Sequence, residues 1–216
     1  MNTTFQKQYD YGGWNIKGFG KSGNLKIKFV NRMDDTMNEN RIKILAISGS
    51  LRKNSYNTNV LYAISNLKSE NFDFQFYEGL EHLPYFSPEA DTDDPPASVK
   101  NLREQLKLAD GVIICTPEYA RGVPGVLKNA LDWVVSSGEF MNKPVAVIIA
   151  SSRITGGDKA HESIMLTLQM IEANIPKEST LQIGVVGTKI NSKAEILDPT
   201  TREQLKSVLN SLISSI

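Results

Sequence analysis

Cys115 is the single cysteine among 216 residues, which excludes an intrachain disulfide and a cysteine-based metal cluster. A reducing cytoplasm is the expected location. Histidine is nearly as scarce, and His82 and His161 have no partner at metal-ligand spacing, so both read as structural or surface residues and no metal site is expected. An excess of either charge is missing too. Lysine plus arginine and aspartate plus glutamate number 24 each, so no overall field calls for nucleic acid or anionic lipid. No apolar run is long enough to span a membrane, and the first thirty-odd residues lack the hydrophobic centre of a secretory signal. Two phosphate fingerprints are also absent. Neither GxxxxGK(S/T), which serves a triphosphate and its magnesium, nor GxGxxG, which serves a dinucleotide, occurs where a strand meets a helix.

With a hydrophobic content of 40%, a chain of this length can bury one sizeable core, and one ordinary domain is the default. Residues 1–40 stand apart, with Gly12, Gly13, Gly18, Gly20 and Gly23, scattered lysines and few apolar positions in any period. They are expected to form a poorly ordered extension. Its strand-like piece runs from Leu25 to Val30, where Leu25, Ile27 and Phe29 alternate with lysines. Met37 immediately precedes the organised region, residues 41–216, and is a candidate natural start.

From Arg41 onward, strand and helix alternate. Ile42 to Ile47 is a short apolar run suited to a strand buried on both faces of a parallel sheet. Val60, Leu61, Ile64 and Leu67 follow at helical spacing. Further strands are expected over Phe72 to Tyr77, Gly111 to Cys115, Val145 to Ala150 and Leu181 to Val186. Helices are expected over Ala97 to Ala109, Val123 to Val135 with Pro124 in its first turn, Gly157 to Ala173 and Thr200 to Ile216. Glu78 to Pro96 reads as a proline-punctuated loop. Five strands separated by helices imply right-handed crossovers and a doubly covered sheet. Ligands of such sheets lie at the carboxyl ends of strands near the switch point, here the loops after the first, third and fourth strands.

The first of these loops, Ser48 to Ser55, ends where a helix starts, with unpartnered N–H groups and the positive end of the helix dipole. Ser50, Ser55, Asn57 and Thr58 can add neutral hydrogen bonds, and Arg52 or Lys53 supplies charge. Charge-assisted bonds contribute roughly 1.5–3 kcal/mol each, so three or four hold a phosphate monoester well. A monophosphate fits this loop better than ATP or a dinucleotide. The second loop, Thr116-Pro117-Glu118-Tyr119-Ala120-Arg121-Gly122-Val123-Pro124-Gly125, displays a shaped, rigid surface on which a planar ligand can rest. The third, Ser151-Ser152-Arg153-Ile154-Thr155-Gly156-Gly157, lets backbone approach a ring closely.

GSxRxxSxN at 49–57, then PEY at 117–119, then PGxLKNAxDW at 124–133 and a later Gly-Gly before a helix, in this order, resemble the NADPH-dependent FMN reductase family. This flavodoxin-like group includes quinone, azo-dye and chromate reductases. The resemblance covers about Ile42 to the C-terminus. It implies an α/β flavodoxin-like fold, a doubly wound five-stranded parallel sheet of order 2-1-3-4-5 with helices on both faces. It places the phosphate of FMN against Ser50, Arg52, Ser55 and Asn57. The isoalloxazine would lie along Pro117, Glu118, Tyr119 and Ala120, with Ser151, Gly156 and Gly157 near its other side. Many relatives carry Asn-Gly where this chain has Ala120-Arg121, so Arg121 is a candidate for the nicotinamide cofactor's phosphate or for a partner subunit. Arg153 is a secondary candidate for anion binding.

The implied activity is that of an FMN-dependent NAD(P)H oxidoreductase. Hydride passes from NADPH or NADH to flavin N5, and a quinone, free flavin, azo compound or similar acceptor is then reduced. Such chemistry belongs largely to the flavin, and no catalytic side chain is assigned. A homodimer or homotetramer is expected, and Trp133 reads as core or as part of a subunit interface. Cys115 reads as a buried structural thiol. Two other classes compete: a non-enzymatic FMN electron carrier, disfavoured by zero net charge, and a flavin-binding, redox-regulated interaction protein. Deleting residues 1–36 is expected to leave folding and flavin content intact, measured as soluble yield and visible absorbance, and loss of soluble protein would contradict this.

Overall fold

The computed structural model describes the backbone of Lys7–Tyr11, Trp14–Phe19 and Lys26–Phe29 together with residues 41–67 and 72–216. The chain divides into two units, Met1–Asn40 and Arg41–Ile216. In the first, β1 (Lys7–Tyr11), β2 (Trp14–Phe19) and β3 (Lys26–Phe29) form an antiparallel sheet in that order. The strand expected from Leu25 to Val30 falls on β3, with both of those end residues outside the described residues. The candidate start at Met37 also lies outside them.

The second unit alternates strictly. It comprises β4 (Ile42–Ser48), α1 (Tyr56–Ser65), β5 (Phe72–Tyr77), α2 (Ala97–Leu108), β6 (Gly111–Thr116), α3 (Gly125–Asp132), β7 (Val145–Ala150), α4 (Asp158–Met170), β8 (Thr180–Ile183) and α5 (Pro199–Ile213). The sheet order is β5-β4-β6-β7-β8, with every neighbouring pair parallel. Counted within this unit, that is the expected 2-1-3-4-5. The chain steps from β4 outward to β5 and returns to the other side of β4 as β6, so the switch point lies between β4 and β6.

The period of two in the strands sorts their side chains into two cores. Val112 and Ile114 of β6 and Val145, Val147 and Ile149 of β7 pack beneath α2, α3 and α4. Ile113 and Cys115 of β6, with Ala146, Ile148 and Ala150 of β7, pack beneath α1 and α5. All of these are at most 2% exposed. Each buried Val, Leu or Ile stabilises the fold by roughly 1.5–3 kcal/mol, so both faces bind the sheet firmly and leave its carboxyl edge to the loops. The helices are cut to match, with Val99, Leu102 and Leu106 of α2 forming one buried stripe.

Several expected boundaries move, including the end of α4, at Met170 rather than Ala173, and both ends of α5, Pro199–Ile213 rather than Thr200 to Ile216. Helix α3 starts at Gly125 and ends at Asp132, not Val123 to Val135, because Pro124 is its N-cap in extended conformation, with ψ of 136°, rather than a first-turn residue. Strand β8 ends at Ile183 instead of Val186. Val185 adopts a left-handed φ of 51° and starts a short 3-10 turn, which no strand accommodates. Helix α4 starts one residue later than expected, since Gly157 is a left-handed N-cap.

The loop from Glu78 to Pro96 is pinned along its length. Its two 3-10 turns, Leu80–His82 and Pro88–Ala90, flank a segment held by the C-terminal part of α3. The Trp133 indole N–H and the Asn129 amide donate to the Pro84 carbonyl at 2.8 and 2.9 Å, and Phe86 N donates to Asn129 Oδ1 at 2.8 Å. Phe86 meets the Trp133 ring edge-on at 5.2 Å. Trp133 has no exposed surface, so it is a core residue of the single chain. Farther along, Arg103 pairs with Asp91 at 2.6 Å and also donates to the Trp133 carbonyl.

The Ser136 hydroxyl, followed by Arg103, holds the Asp91 carboxyl below the ordinary aspartate range. A depressed folded value stabilises the protein fully above the unfolded value, about 3.9, and the benefit disappears as pH falls through the lower folded value. The Asp91→Asn variant is therefore expected to melt lower than the parent at neutral pH. Its melting temperature should also fall less steeply than the parent's on acidification below about pH 4, measured by circular dichroism.

Candidate functional site

The loop after β4 is tied to β6 at its first residue. Gly49 N donates to the Cys115 carbonyl at 2.8 Å, and a Cβ at Gly49 would lie 2.4 Å from Thr116 Oγ1. Only glycine lets the chain leave the sheet so close to its neighbour. Ser50 is 7% exposed, and its Oγ sits 3.3 Å from the Tyr119 hydroxyl while accepting from Arg52 N at 3.4 Å. Ser55 is the N-cap of α1, with an extended backbone and an Oγ that accepts from Asn57 N. The start of that helix is thereby presented to the cleft.

Asn57 is 4% exposed and reaches down to the core. Cys115 Sγ donates to its Oδ1 at 3.4 Å. Burial pushes the Cys115 thiol well above its ordinary value, so it stays protonated and acts as the donor. The amide oxygen is thus engaged from below, and the Asn57 NH2 remains for a ligand. Sequence reasoning read Cys115 only as structural packing. The signal for its second contact is pairwise: the thiol closes β6 and the amide opens α1, adjacent elements at the switch point.

The loop after β6 runs over this start. Pro117 is buried, Glu118 half-buried, and Tyr119, Ala120 and Arg121 are exposed. Glu118 Oε2 accepts from the backbone amides of Lys159 and Ala160 at 2.9 and 3.1 Å. Its carboxylate therefore complements the dipole of α4. Tyr119 and Gly122 exchange backbone hydrogen bonds at 3.0 Å in both directions. Between them Ala120 and Arg121 have φ of 48° and 61°. Two central residues of positive φ inside a reciprocal pair define a type I′ turn, which Asn-Gly adopts with ease. For residues bearing a Cβ this conformation costs roughly 1–2 kcal/mol each.

Ser50, Arg52, Ser55, Asn57, Pro117, Glu118, Tyr119 and Ser151 line one cleft, together with Tyr56, Ala150 and Ser152. Eight of the twelve sequence-derived site residues thus meet in one place. Ala120 and Arg121 form the turn just beyond Tyr119. Gly156 and Gly157 lie outside the lining and are buried, with φ of 68° and 89°. A Cβ at Gly157 would lie 2.6 Å from Ile149 Cγ2 and 3.3 Å from Glu118 Cβ. Gly157 thus lets the third loop pass close to Glu118, while Gly156 lets it pass close to Gln182 and Gly184. Tyr56, Ser152 and Ala150 escaped the sequence reading because their contribution depends on how the three loops converge.

The donor set suits a phosphate monoester. Buried hydroxyls, the Asn57 amide and the Arg52 guanidinium converge at the start of α1, and the lining carboxylate, Glu118, is occupied by α4. Arg52, Lys53, Arg121 and Arg153 make no ion pair with another described residue. Among the described residues no group of histidine, cysteine or carboxylate side chains suits a metal ion. No helix among them is long and apolar enough to cross a membrane.

Comparison with known proteins follows the same ground. The model of a family described as NADPH-dependent FMN reductase matches residues 42–186. An NADPH azoreductase of Bacillus sp. (strain OY1-2) is 34% identical over 172 residues, 78% of this chain and 93% of the relative. A quinone reductase of Escherichia coli (strain K12) is 28% identical over 169 residues, 76% and 90% of the two chains. Among solved structures, FerB of Paracoccus denitrificans, a flavoenzyme NAD(P)H:(acceptor) oxidoreductase, superposes with a TM-score of 0.72 at 23% identity. It covers 81% of this chain and 98% of its own, and it shares the fold.

Gly157→Ala is expected to destabilise the protein by about 2–4 kcal/mol, since a left-handed alanine and an overpacked contact add. Urea unfolding measures this, and a change under 1 kcal/mol would show that the third loop can move aside.

Proposed function

Because the chain belongs to the NADPH-dependent FMN reductase family, matched over residues 42–186, we propose that the three-loop cleft holds FMN and that quinones or azo compounds accept its electrons. The protein is an NAD(P)H-dependent FMN oxidoreductase. The reading of the cleft is carried by one observation: the loops after β4, β6 and β7 line a single cleft at the switch point, with Ser50 and Tyr119 hydrogen-bonded across it. The proposed acceptors follow relatives named for quinone and azo substrates.

In this reading Ser50, Arg52, Ser55 and Asn57 hold the phosphate, and Cys115 fixes the orientation of the Asn57 amide. Pro117, Glu118, Tyr119 and the Ala120 backbone support the ring, and Ser151 closes the cleft beside β7. Gly157 acts indirectly, through its close approach to Glu118, and Gly156 through the passage of the third loop beside Gln182 and Gly184. When bound, FMN supplies the hydride chemistry, taking two electrons from NAD(P)H and passing them to the acceptor. The side chains bind and orient, and none is assigned a proton. Residues 41–216 are taken as the FMN-binding domain, with residues 1–40 as an extension ahead of the family match. A cytoplasmic homodimer or homotetramer is the proposed working form.

Purified protein is expected to be yellow, and anaerobic NADPH or NADH should bleach its visible flavin bands. Colourless protein that takes up no FMN would contradict the cleft assignment. In the Arg52→Ala/Ser55→Ala variant, FMN affinity should fall about tenfold or more while riboflavin affinity changes little, because the lost contacts belong to the phosphate. Equal weakening of both, read by fluorescence titration, would place the phosphate elsewhere.

A further inference from the structure

The turn at Ala120-Arg121 keeps a conformation that its residues resist. Backbone strain of this kind persists where surrounding structure or use demands it, and functional sites are where it collects. Here the reciprocal bonds of Tyr119 and Gly122 impose the turn, and a glycine at position 121 would relax it. Arginine is present instead.

Arg121 follows Tyr119, a cleft-lining residue, by two positions and is an exposed cation without an ion pair among the described residues. The nearest acid of its own loop is Glu118, whose Oε2 is engaged by the start of α4. The neighbouring charge of like sign is Lys159, close enough to feel Arg121 and itself joined to Glu162 at 2.7 Å. Two neighbouring like charges near a cleft favour the arrival of an anion. Guanidinium is the side chain best shaped to grip a phosphate through two parallel hydrogen bonds.

The cleft reading assigns the FMN phosphate to the opposite end, at Ser50, Arg52, Ser55 and Asn57, and the following inference rests on it. The remaining phosphates in the reaction arrive on the nicotinamide dinucleotide. We propose that Arg121 binds a phosphate of the reductant and is a specificity-determining residue for it, outside the FMN cradle. The shared chemistry is a phosphate dianion or diester, supplied either by the 2′-phosphate, which only NADPH carries, or by the pyrophosphate common to NADPH and NADH.

The test uses FMN-loaded full-length protein and two single variants, Arg121→Gly and Arg121→Asn. Glycine and asparagine both accept the left-handed φ of position 121, so both variants are expected to melt at or above the parent's temperature and to retain FMN with unchanged affinity. The KM for NADPH and the dissociation constant of NADP+ by calorimetry should each rise about tenfold or more, the loss expected for one charge-assisted contact, while kcat at saturation holds. A rise confined to NADPH and NADP+ assigns the 2′-phosphate; an equal rise for NADH and NAD+ assigns the pyrophosphate; either supports the proposal. Unchanged KM and binding for both nucleotides, or a rise only in the acceptor's KM, overturns it. Loss of FMN from the variants alone would put Arg121 in the flavin cradle and overturn it too. Parent protein that takes up no FMN would instead bring down the cleft reading, and this proposal with it.

Discussion

Everything at the functional edge depends on the pairing of β4 with β6. Ile44 to Ser48 run in register with Gly111 to Cys115, and the Gly49 amide adds one further bond to the Cys115 carbonyl. At that rung the two strands separate, one turning into the start of α1 and the other into the Pro117–Tyr119 loop. Residues distant in sequence thereby come within contact, Ser50 with Tyr119 and Asn57 with Cys115. A slip of one residue in this register would exchange the inward and outward faces of β6. Both cores forbid it, because every residue of β6 is buried.

The same economy governs the loops. A connection that ends a parallel strand has no partner for its backbone, so this chain supplies partners locally. Ser55 caps α1, Glu118 caps α4 through two amides, and Tyr119 closes on Gly122. The polar groups that give a rigid loop are thus the ones that surround the cleft. Apart from Glu118, the polar side chains these loops turn to the cleft are one-sided: hydroxyls, an amide and the Arg52 guanidinium, all able to donate.

Much of this was legible from residue order. Strands buried on both faces read as continuous runs of Val, Ile and Ala, which is why β6 and β7 were placed almost to the residue. GSLRKNSYN and PEY marked seven cleft residues because their spacing reflects local turn and cap chemistry, and the third loop supplied Ser151. The failures have one physical source, namely backbone conformations that side-chain identity does not announce. Val185 in a left-handed conformation ends β8 early, and Pro124 serves as a cap outside the helix that it was expected to join. The packing of Gly157 against Ile149 and Glu118 is a further feature that residue order does not show. The Cys115–Asn57 contact joins residues 58 positions apart, beyond any local pattern.

The burial of Ser50, Ser55 and Asn57, set against the exposure of Arg121, makes ionic strength a selector. Attractions between exposed charges are screened within about 8–10 Å at physiological salt, whereas short, buried contacts to neutral donors are screened far less. An anion resting on the buried donors beside the exposed Arg52 would therefore feel the surrounding electrolyte only in part. One that meets only Arg121 is held in proportion to how dilute that electrolyte is. Salt would thus weaken a contact made by Arg121 alone more than one shared with the buried donors.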